Sequence, residues 1–399
     1  MMDESAKVSR RITGVQSPVI PIVAQWTAQT PGTISLGQGV VHYGPPESVF
    51  TTLADPAIQG YHTDRYGPVV GDQALLNAIE HKLLVDNGIS LAAGDEKGDS
   101  GSEVVVTAGA NMGFLNAILA IADVDDEIIL LTPYYFNHHM AIEIAGCRVV
   151  EVPTDRDSQP VVADIAAAIT DRTRAVVTIS PNNPTGALYR EEVLRQINSL
   201  CQQRGIFHLS DEAYEYFIYD EARHFSPGSI AGAAEHTISL FSLSKTYAMA
   251  GFRIGYQVLP KRLSVAVKKV QDTNLICPPR VCQQAALAAM QVGPEHCQQY
   301  VPELQQVRDR AIDRLQTLGE RCQISRPEGA FYLFLHLDSS QDDVTLTEQL
   351  IRQHQVAVLP GSAFGASASC SLRLSFGALN GQTVIDGIDR LADGLRTLL

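Results

Sequence analysis

The chain has 399 residues, of which 45% are hydrophobic, and its formal net charge at pH 7 is −14. A chain of this length exceeds the size at which one hydrophobic core usually keeps growing, so we expect two domains. This net negative charge argues against a basic surface that binds nucleic-acid phosphates, and it is typical of a protein that acts on small molecules.

The N-terminal residues 1–18 lack the continuous apolar core of a signal peptide, and no later apolar run is long enough to span a bilayer. We therefore expect a cytoplasmic protein with no membrane partner. The seven cysteines contain no C-x-x-C pair, and no histidine stands at metal-ligand spacing. We expect reduced thiols and no metal site.

From residue 104 onward, apolar strand-like runs alternate with helical patterns. The run at 190–203 is helical, because Val193, Ile197 and Leu200 fall on one face. This alternation is typical of an α/β fold, in which helices cover a mostly parallel, seven-stranded sheet. The predicted strands are residues 104–107, 128–131, 149–152, 175–179, 206–209, 237–241 and 254–258.

A different pattern begins near Glu295. It predicts a long helix at 303–318, a strand at 331–335, a short helix, and strands at 357–359 and 371–375. We interpret it as a smaller α+β domain formed by both termini, residues 1–47 and 295–399, beside a large domain at 48–294. Residues 94–101 predict an exposed loop.

One lysine stands among small, aromatic and apolar residues in SLSKTYAMAGFRIGY, residues 242–256. An amine attacks carbonyl groups only when it is neutral, and burial or nearby positive charge can lower its pKa enough. Lys245 follows a predicted strand, so we expect it at the carboxyl edge of the sheet, where α/β proteins bind ligands. The hydroxyls of Ser242 and Ser244 and the guanidinium of Arg253 favour phosphate binding. The pattern indicates an aldehyde that carries a phosphate, and pyridoxal phosphate fits this description.

Other strand ends supply the remaining groups that such a cofactor needs. Asp211 follows the strand at 206–209 and is the candidate partner of the ring nitrogen, while Tyr214 and Asn183 are candidate donors to the ring oxygen. The bond between Asn183 and Pro184 is a candidate cis peptide. The stretch TAGAN, residues 107–111, joins a strand to a helix and can offer backbone amides to the phosphate.

These residues resemble the class I/II aminotransferases, which are fold type I pyridoxal-phosphate enzymes with the aspartate aminotransferase fold. The stretch SLSKTYAMAGFRIG is similar to the family's S-x-S-K-x(7)-R-x-G signature. The stretch NPTG at 183–186, the D-x-x-Y at 211–214 and Arg373 in LRLSF follow in the family's order. The resemblance covers the chain from about Ser35 to the C-terminus.

The resemblance implies a role for each of these residues. Lys245 would bond covalently to the cofactor and carry a proton, and Asp211 would face the ring nitrogen. Donation to the ring oxygen would come from Tyr214 and Asn183, and ring stacking from Tyr135. The phosphate would be held by Ala110, Asn111, Ser242 and Arg253, and the substrate's α-carboxylate by Arg373, the Gly39 backbone and Asn183.

The resemblance also implies a homodimer with shared active sites. Tyr66 begins YGPVVGDQAL, which is similar to the family's Y-x(4)-G-x(3)-L pattern, and it would reach the phosphate of the neighbouring subunit. The chain departs from the family after Gly39. Many relatives have a G-x-P-x-F stretch there, whereas this chain has GVVHY without the proline. That segment usually closes over the substrate, so the resemblance does not fix the substrate.

Simpler roles remain open for several of these residues. Asp211 alone could cap a helix, and Tyr135 and Tyr214 could be core aromatics. Arg373 could form a structural ion pair, and Tyr66 could simply pack.

Three function classes compete. The leading one is transfer of an amino group from an L-amino acid to a 2-oxo acid through a pyridoxamine intermediate, with Lys245 moving the proton. The second is a pyridoxal-phosphate lyase on the same fold that expels a β- or γ-substituent, for example by cleaving a C–S bond. The third is a ligand sensor, because aminotransferase-like domains also occur fused to DNA-binding modules, although the acidic balance disfavours it.

The donor is predicted from residues 17–26, SPVIPIVAQW, which are uncharged and largely apolar. In the family this segment often borders the substrate side chain. The segment therefore predicts that neutral or aromatic amino acids are better donors than aspartate, with 2-oxoglutarate or another small 2-oxo acid as acceptor. Arg65 and Arg280 remain open as second cations for a dicarboxylic donor.

Overall fold

The computed structural model describes residues 8–61, 63–91, 101–367 and 369–399, so the loop predicted at 94–101 lies outside the described residues apart from Gly101. The strands are β1 Ile34–Ser35, β2 Ser102–Thr107, β3 Glu127–Thr132, β4 Arg148–Pro153, β5 Thr173–Ile179, β6 Phe207–Asp211, β7 Thr237–Ser242, β8 Gly255–Pro260, β9 Cys322–Ile324, β10 Tyr332–Leu337, β11 Val356–Ala357, β12 Leu359–Pro360 and β13 Ser371–Ser375. The α-helices are α1 Arg10–Gly14, α2 Val19–Gln29, α3 Glu47–Ala54, α4 Gln73–Asn87, α5 Ala110–Ile121, α6 Phe136–Ala145, α7 Val162–Ala168, α8 Glu191–Arg204, α9 Leu243–Thr246, α10 Ser264–Asn274, α11 Arg280–Met290, α12 Glu295–Gln298, α13 Val301–Gln316, α14 Asp343–His354 and α15 Gly381–Leu398.

The larger sheet has seven strands in the order β2-β8-β7-β6-β5-β3-β4. The strand β8 runs antiparallel to both of its neighbours, and the other strands run parallel to one another. Each run predicted as a strand overlaps one of these seven strands, and the predicted α/β fold is confirmed. Apolar side chains of both faces are buried, as expected for a sheet that helices cover.

Helix α8 illustrates how the sequence pattern forms the covering layer. Its buried face includes Leu194, Ile197 and Cys201, one residue away from the face predicted through Val193 and Leu200, which are only half-buried. The helix ends at Gly205, whose backbone is left-handed with a φ of 67° and therefore suits glycine.

The smaller sheet has four antiparallel strands in the order β12-β13-β10-β9. Its hydrophobic cluster includes Leu335 and Leu374 from the strands and Leu315 and Leu391 from the helices α13 and α15. Near the N-terminus, β1 pairs in parallel with β11. Residues 36–44 follow β1 and contact both sheets. The Leu36 carbonyl accepts from the Ser375 amide of β13 at 2.6 Å, and the Tyr43 hydroxyl donates to the carbonyl of Lys245, just after β7, at 3.0 Å.

Among the described residues, no helix combines the length and the apolar character that crossing a bilayer requires.

Candidate active site

A cavity of about 230 Å³ lies at the carboxyl ends of the parallel strands. The strands β2, β5, β6 and β7 end at Thr107, Ile179, Asp211 and Ser242, and the segments that follow them turn into the cavity. Ligands of α/β proteins bind at this edge of the sheet. The cavity is lined by the predicted site residues Gly39, Ala110, Asn111, Tyr135, Asn183, Asp211, Tyr214, Ser242, Lys245, Arg253 and Arg373.

Lys245 lies on the short helix α9, directly after β7. Ser242 caps this helix, because its hydroxyl accepts a hydrogen bond of 3.2 Å from the amide of Ser244. The amine of Lys245 donates to the backbone carbonyl of Gly39. Burial, and then the charges of Arg373 and Arg253, lower the pKa of Lys245 from 10.5 to about 8, although Asp211 opposes them. A lysine in this setting is a neutral base at mildly alkaline pH.

Asp211 is held by two groups at the end of β6. Its Oδ1 accepts from the Ala213 amide at 3.1 Å, and its Oδ2 lies 3.1 Å from Nε2 of His138. His138 is 1% exposed and stacks on Phe114 with ring centroids 3.9 Å apart. His138 was not predicted from the sequence, because a histidine inside helix α6 has no spacing or strand-end signal that marks it.

Arg373 is almost fully buried on β13, with 2% of its surface exposed. Its Nη2 donates to the Gly37 carbonyl at 2.6 Å, and its Nη1 donates to Oδ1 of Asn183 at 3.1 Å. The guanidinium carbon lies 4.7 Å from the ring centroid of Tyr332 and 5.0 Å from that of Phe364. The buried Nε has no hydrogen-bond partner among the residues that the structure describes. A buried charge with an unused donor can bind an anion that enters the cavity.

A candidate anion site lies where helix α5 begins. Gly109 precedes the helix with a φ of 81°, and no side chain caps the free amides of the first turn. The Arg253 guanidinium lies against Gly109, since a Cβ on Gly109 would stand 2.5 Å from Arg253 Nη2. Helix amides and a guanidinium together favour phosphate binding.

Three tyrosines line the cavity, and their hydroxyls have amide or hydroxyl partners. The hydroxyl oxygens of Tyr214 and Tyr332 lie 2.6 Å apart and share a hydrogen bond. The hydroxyl of Tyr135 accepts from Nδ2 of Asn137 at 2.8 Å and from Nδ2 of Asn111 at 3.5 Å. Burial raises the pKa of Tyr214 well above its usual value, so its hydroxyl remains a possible donor. Tyr332 was not predicted, because its stretch reads as an ordinary apolar strand.

The structure also adds an apolar side to the cavity. Ile20 of helix α2, Val40 and Phe136 line it together with the predicted polar residues. Ile20 belongs to the apolar segment 17–26, which is predicted from the sequence to border the substrate side chain. Val40 lies in the segment where the chain departs from the family pattern.

Tyr66 is the predicted site residue that does not line the cavity. It is 78% exposed and lies with Arg65 and Arg280 in a separate surface hollow. Nε of Arg280 stands 3.3 Å from Oδ1 of Asp72. A contact of Tyr66 with a second subunit stays a prediction.

The predicted cis peptide at Asn183–Pro184 is wrong. The cis peptides within the described residues are Thr132–Pro133 and Ser180–Pro181, so the cis bond lies three residues earlier in the same turn. The described part of the chain contains no group of three histidine, cysteine, aspartate or glutamate side chains that could hold a metal ion.

The profile of the family "Aminotransferase class I and II" matches residues 31–391. The aromatic aminotransferase of Arabidopsis thaliana is 32% identical over 411 residues, which cover 100% of this chain and 98% of that protein. An aspartate/prephenate aminotransferase of Thermus thermophilus is 33% identical over 90% of each chain. Among solved structures, the aromatic aminotransferase of Pyrococcus horikoshii superposes with a TM-score of 0.84 at 30% identity, covering 94% of this chain and 99% of that one.

Proposed function

Since this chain belongs to the class I and II aminotransferase family and is a pyridoxal-phosphate-dependent aminotransferase, we propose that it transfers the amino group of a neutral or aromatic L-amino acid to a small 2-oxo acid. The relatives are named for aspartate, prephenate and aromatic amino acids, so their names do not select the donor. The observation that carries the proposal is the cavity, which combines the Lys245 amine with an anion site and an apolar side.

The residues of the cavity fit the cofactor. The uncapped start of helix α5 at Ala110 and Asn111, with Ser242 and the guanidinium of Arg253, would hold the phosphate. The carboxylate of Asp211, which also lines the cavity, would pair with the ring nitrogen. The remaining contacts to the ring would come from Asn183, Tyr214 and Tyr135.

The bound cofactor supplies an electron-withdrawing ring that stabilises negative charge on the donor's α-carbon. The protein's own groups prepare the proton transfer. The Lys245 amine, neutral above a pKa of about 8, would accept the α-proton and return it, and the Asp211 carboxylate would face the ring nitrogen. Arg373 would bind the donor's α-carboxylate and so orient the donor towards Lys245.

The charges of the cavity support a neutral donor. The cationic side chains among its described lining residues are Lys245, Arg253 and Arg373. All three already have a proposed role, as the base, the phosphate ligand and the α-carboxylate ligand respectively. An acidic donor would bring a second carboxylate next to Ile20, Val40 and Phe136. A carboxylate without a partner loses its hydration there, whereas an apolar or aromatic side chain gains contact.

A donor panel tests the proposal. We expect a higher kcat/KM for phenylalanine, tyrosine, methionine and glutamine than for aspartate, with 2-oxoglutarate as the common acceptor. The variant Ile20→Lys should raise the ratio of aspartate to phenylalanine activity, because it places an amine in the apolar side. The matched control is Ile22→Lys on the same helix, where the side chain is 40% exposed and does not line the cavity. If aspartate leads in the wild type, the assignment of the donor is wrong.

The proposal extends to the assembly and the organisation of the chain. We infer a homodimer with shared sites, which the exposed Tyr66 supports. The division into a large domain at 48–294 and a small domain from 1–47 and 295–399 is supported by the separate hydrophobic clusters of the two sheets. A cytoplasmic location is supported by the free thiols of the seven cysteines, and cell fractionation tests it.

A further inference from the structure

Residues 37–44 form a segment that contacts two of the cationic side chains that line the cavity. The Gly37 carbonyl accepts from Nη2 of Arg373 at 2.6 Å, and the Gly39 carbonyl accepts from the amine of Lys245. Further along, the Tyr43 hydroxyl donates to the backbone carbonyl of Lys245 at 3.0 Å. The same segment therefore holds Lys245 at its side-chain end and at its main chain.

The carbonyl of Lys245 accepts two hydrogen bonds, and Tyr43 donates one of them. Helix α9 has four residues and ends at Thr246, so the carbonyl lies in a final turn that offers few intrahelical donors. The Ala248 amide donates to it at 3.2 Å, and the Tyr43 hydroxyl supplies a second hydrogen bond. The orientation of this short helix sets the direction in which the Lys245 side chain leaves the backbone.

The Tyr43 ring is fixed by an aromatic cluster. Tyr43 is 9% exposed, and it stacks on Tyr300 with ring centroids 4.1 Å apart and planes 5° apart. His42 and His296 contact it edge-on at centroid distances of 5.7 and 5.5 Å. Burial raises the pKa of Tyr43 above its usual value, so the hydroxyl stays protonated. It is a rigid donor aimed at one carbonyl.

We propose that Tyr43 is a positioning residue for Lys245. The hydrogen bond from the Tyr43 hydroxyl to the Lys245 carbonyl holds helix α9, so that the Lys245 amine stays in line for proton transfer. The proposal rests on the proposed function, which assigns the proton transfer to Lys245. Tyr43 does not line the cavity, and it acts through the main chain of Lys245. Tyr43 ends the GVVHY stretch, in which this chain departs from the G-x-P-x-F pattern of many relatives.

The variant Tyr43→Phe tests the role, because it removes the hydroxyl and keeps the ring that stacks on Tyr300. We expect kcat of the holoenzyme to fall about two- to tenfold, the range for loss of one neutral hydrogen bond, with KM unchanged. We also expect a larger kinetic isotope effect with donor deuterated at the α-carbon, since proton transfer becomes more rate-limiting. The control Tyr300→Phe removes the other hydroxyl of the stack and should match the wild type.

A second measurement uses the cofactor-free protein. Pyridoxal phosphate attaches to Lys245 at a rate that absorbance follows, and this rate should fall in Tyr43→Phe and stay unchanged in Tyr300→Phe. The isotope effect is a ratio and does not depend on the folded fraction, so a less stable variant still gives an answer. A Tyr43→Phe enzyme with wild-type kcat and isotope effect would overturn the positioning role. Full activity of Lys245→Ala in the same assay would instead overturn the proposed function.

Discussion

Removal of the Arg253 charge should raise the pKa of Lys245. The folded protein lowers this pKa from 10.5 to about 8 through burial first and then through the charges of Arg373 and Arg253. A lowering of about 2.5 pH units corresponds to about 3 kcal/mol, so at pH 8 about half of the Lys245 amines are neutral, against roughly 0.3% for an ordinary lysine. The neutral amine, which acts as the base, is present above pH 8 and is lost as the pH falls through that value.

The variant Arg253→Gln is suited to this test because Arg253 is exposed, whereas Arg373 is buried and its removal would disturb the fold. Since burial is the largest cause of the lowering, most of it should survive in Arg253→Gln, and the pKa of Lys245 should rise only part of the way towards 10.5. The matched control is Arg262→Gln, an exposed arginine that does not line the cavity.

The assay is pulse acetylation of the cofactor-free protein over a series of pH values, with peptide mass spectrometry to read the modification of Lys245. Exposed Lys269 in the same sample serves as the internal reference. In the wild type the rate at Lys245 should reach half its maximum near pH 8, and in Arg253→Gln at a higher pH. If Lys245 of the wild type titrates like an ordinary lysine near 10.5, the burial argument is refuted.

Three further predictions concern the cofactor and the assembly. Asp211→Asn should retain the cofactor, as its absorbance will show, but lower kcat on the order of a hundredfold or more, because the electrostatic partner of the ring is lost. Gly109→Ala should raise the Kd of the cofactor about tenfold or more, because the added Cβ displaces the Arg253 guanidinium that would hold the phosphate. The control is Gly205→Ala, which is also at positive φ but has open space around it, and which should change stability alone. Mixed Lys245→Ala and Tyr66→Phe subunits should be more active than either parent if sites are shared, because one site of the heterodimer keeps both residues; no gain after confirmed exchange would contradict sharing.

The strands of the larger sheet could be predicted because their apolar runs are short, continuous and bounded by polar turns. The predicted strand ends placed Asp211, Ser242 and Lys245 at one edge of the sheet, and all three residues line the cavity there. The direction of β8 could not be predicted from the sequence. This strand is as apolar as β2 and β7 on either side of it, yet it runs antiparallel to both.

The groups that support the site were harder to predict. His138 lies inside a helix and Tyr332 inside an apolar strand, and only the tertiary fold brings them to Asp211 and Tyr214. The hydrogen bond between the Tyr43 hydroxyl and the Lys245 carbonyl joins residues that are 202 positions apart in the chain. No local pattern encodes such a contact, because the sequence periodicities report which face a residue occupies rather than which side chain it meets.

The identity of the donor and the sharing of the sites are linked through one surface. Arg65 is adjacent in sequence to Tyr66 and lies in the same hollow, which is separate from the cavity within one chain. If Tyr66 reaches the phosphate of a neighbouring subunit, Arg65 approaches that subunit's cavity with it, and the apolar side at Ile20 then faces a cation supplied from outside the chain. The donor panel distinguishes the two cases. A dimer with shared sites that still prefers phenylalanine to aspartate would mean that Ile20, Val40 and Phe136 determine the donor. A preference for aspartate that disappears in Arg65→Gln would mean that Arg65 of the second subunit binds the distal carboxylate of aspartate.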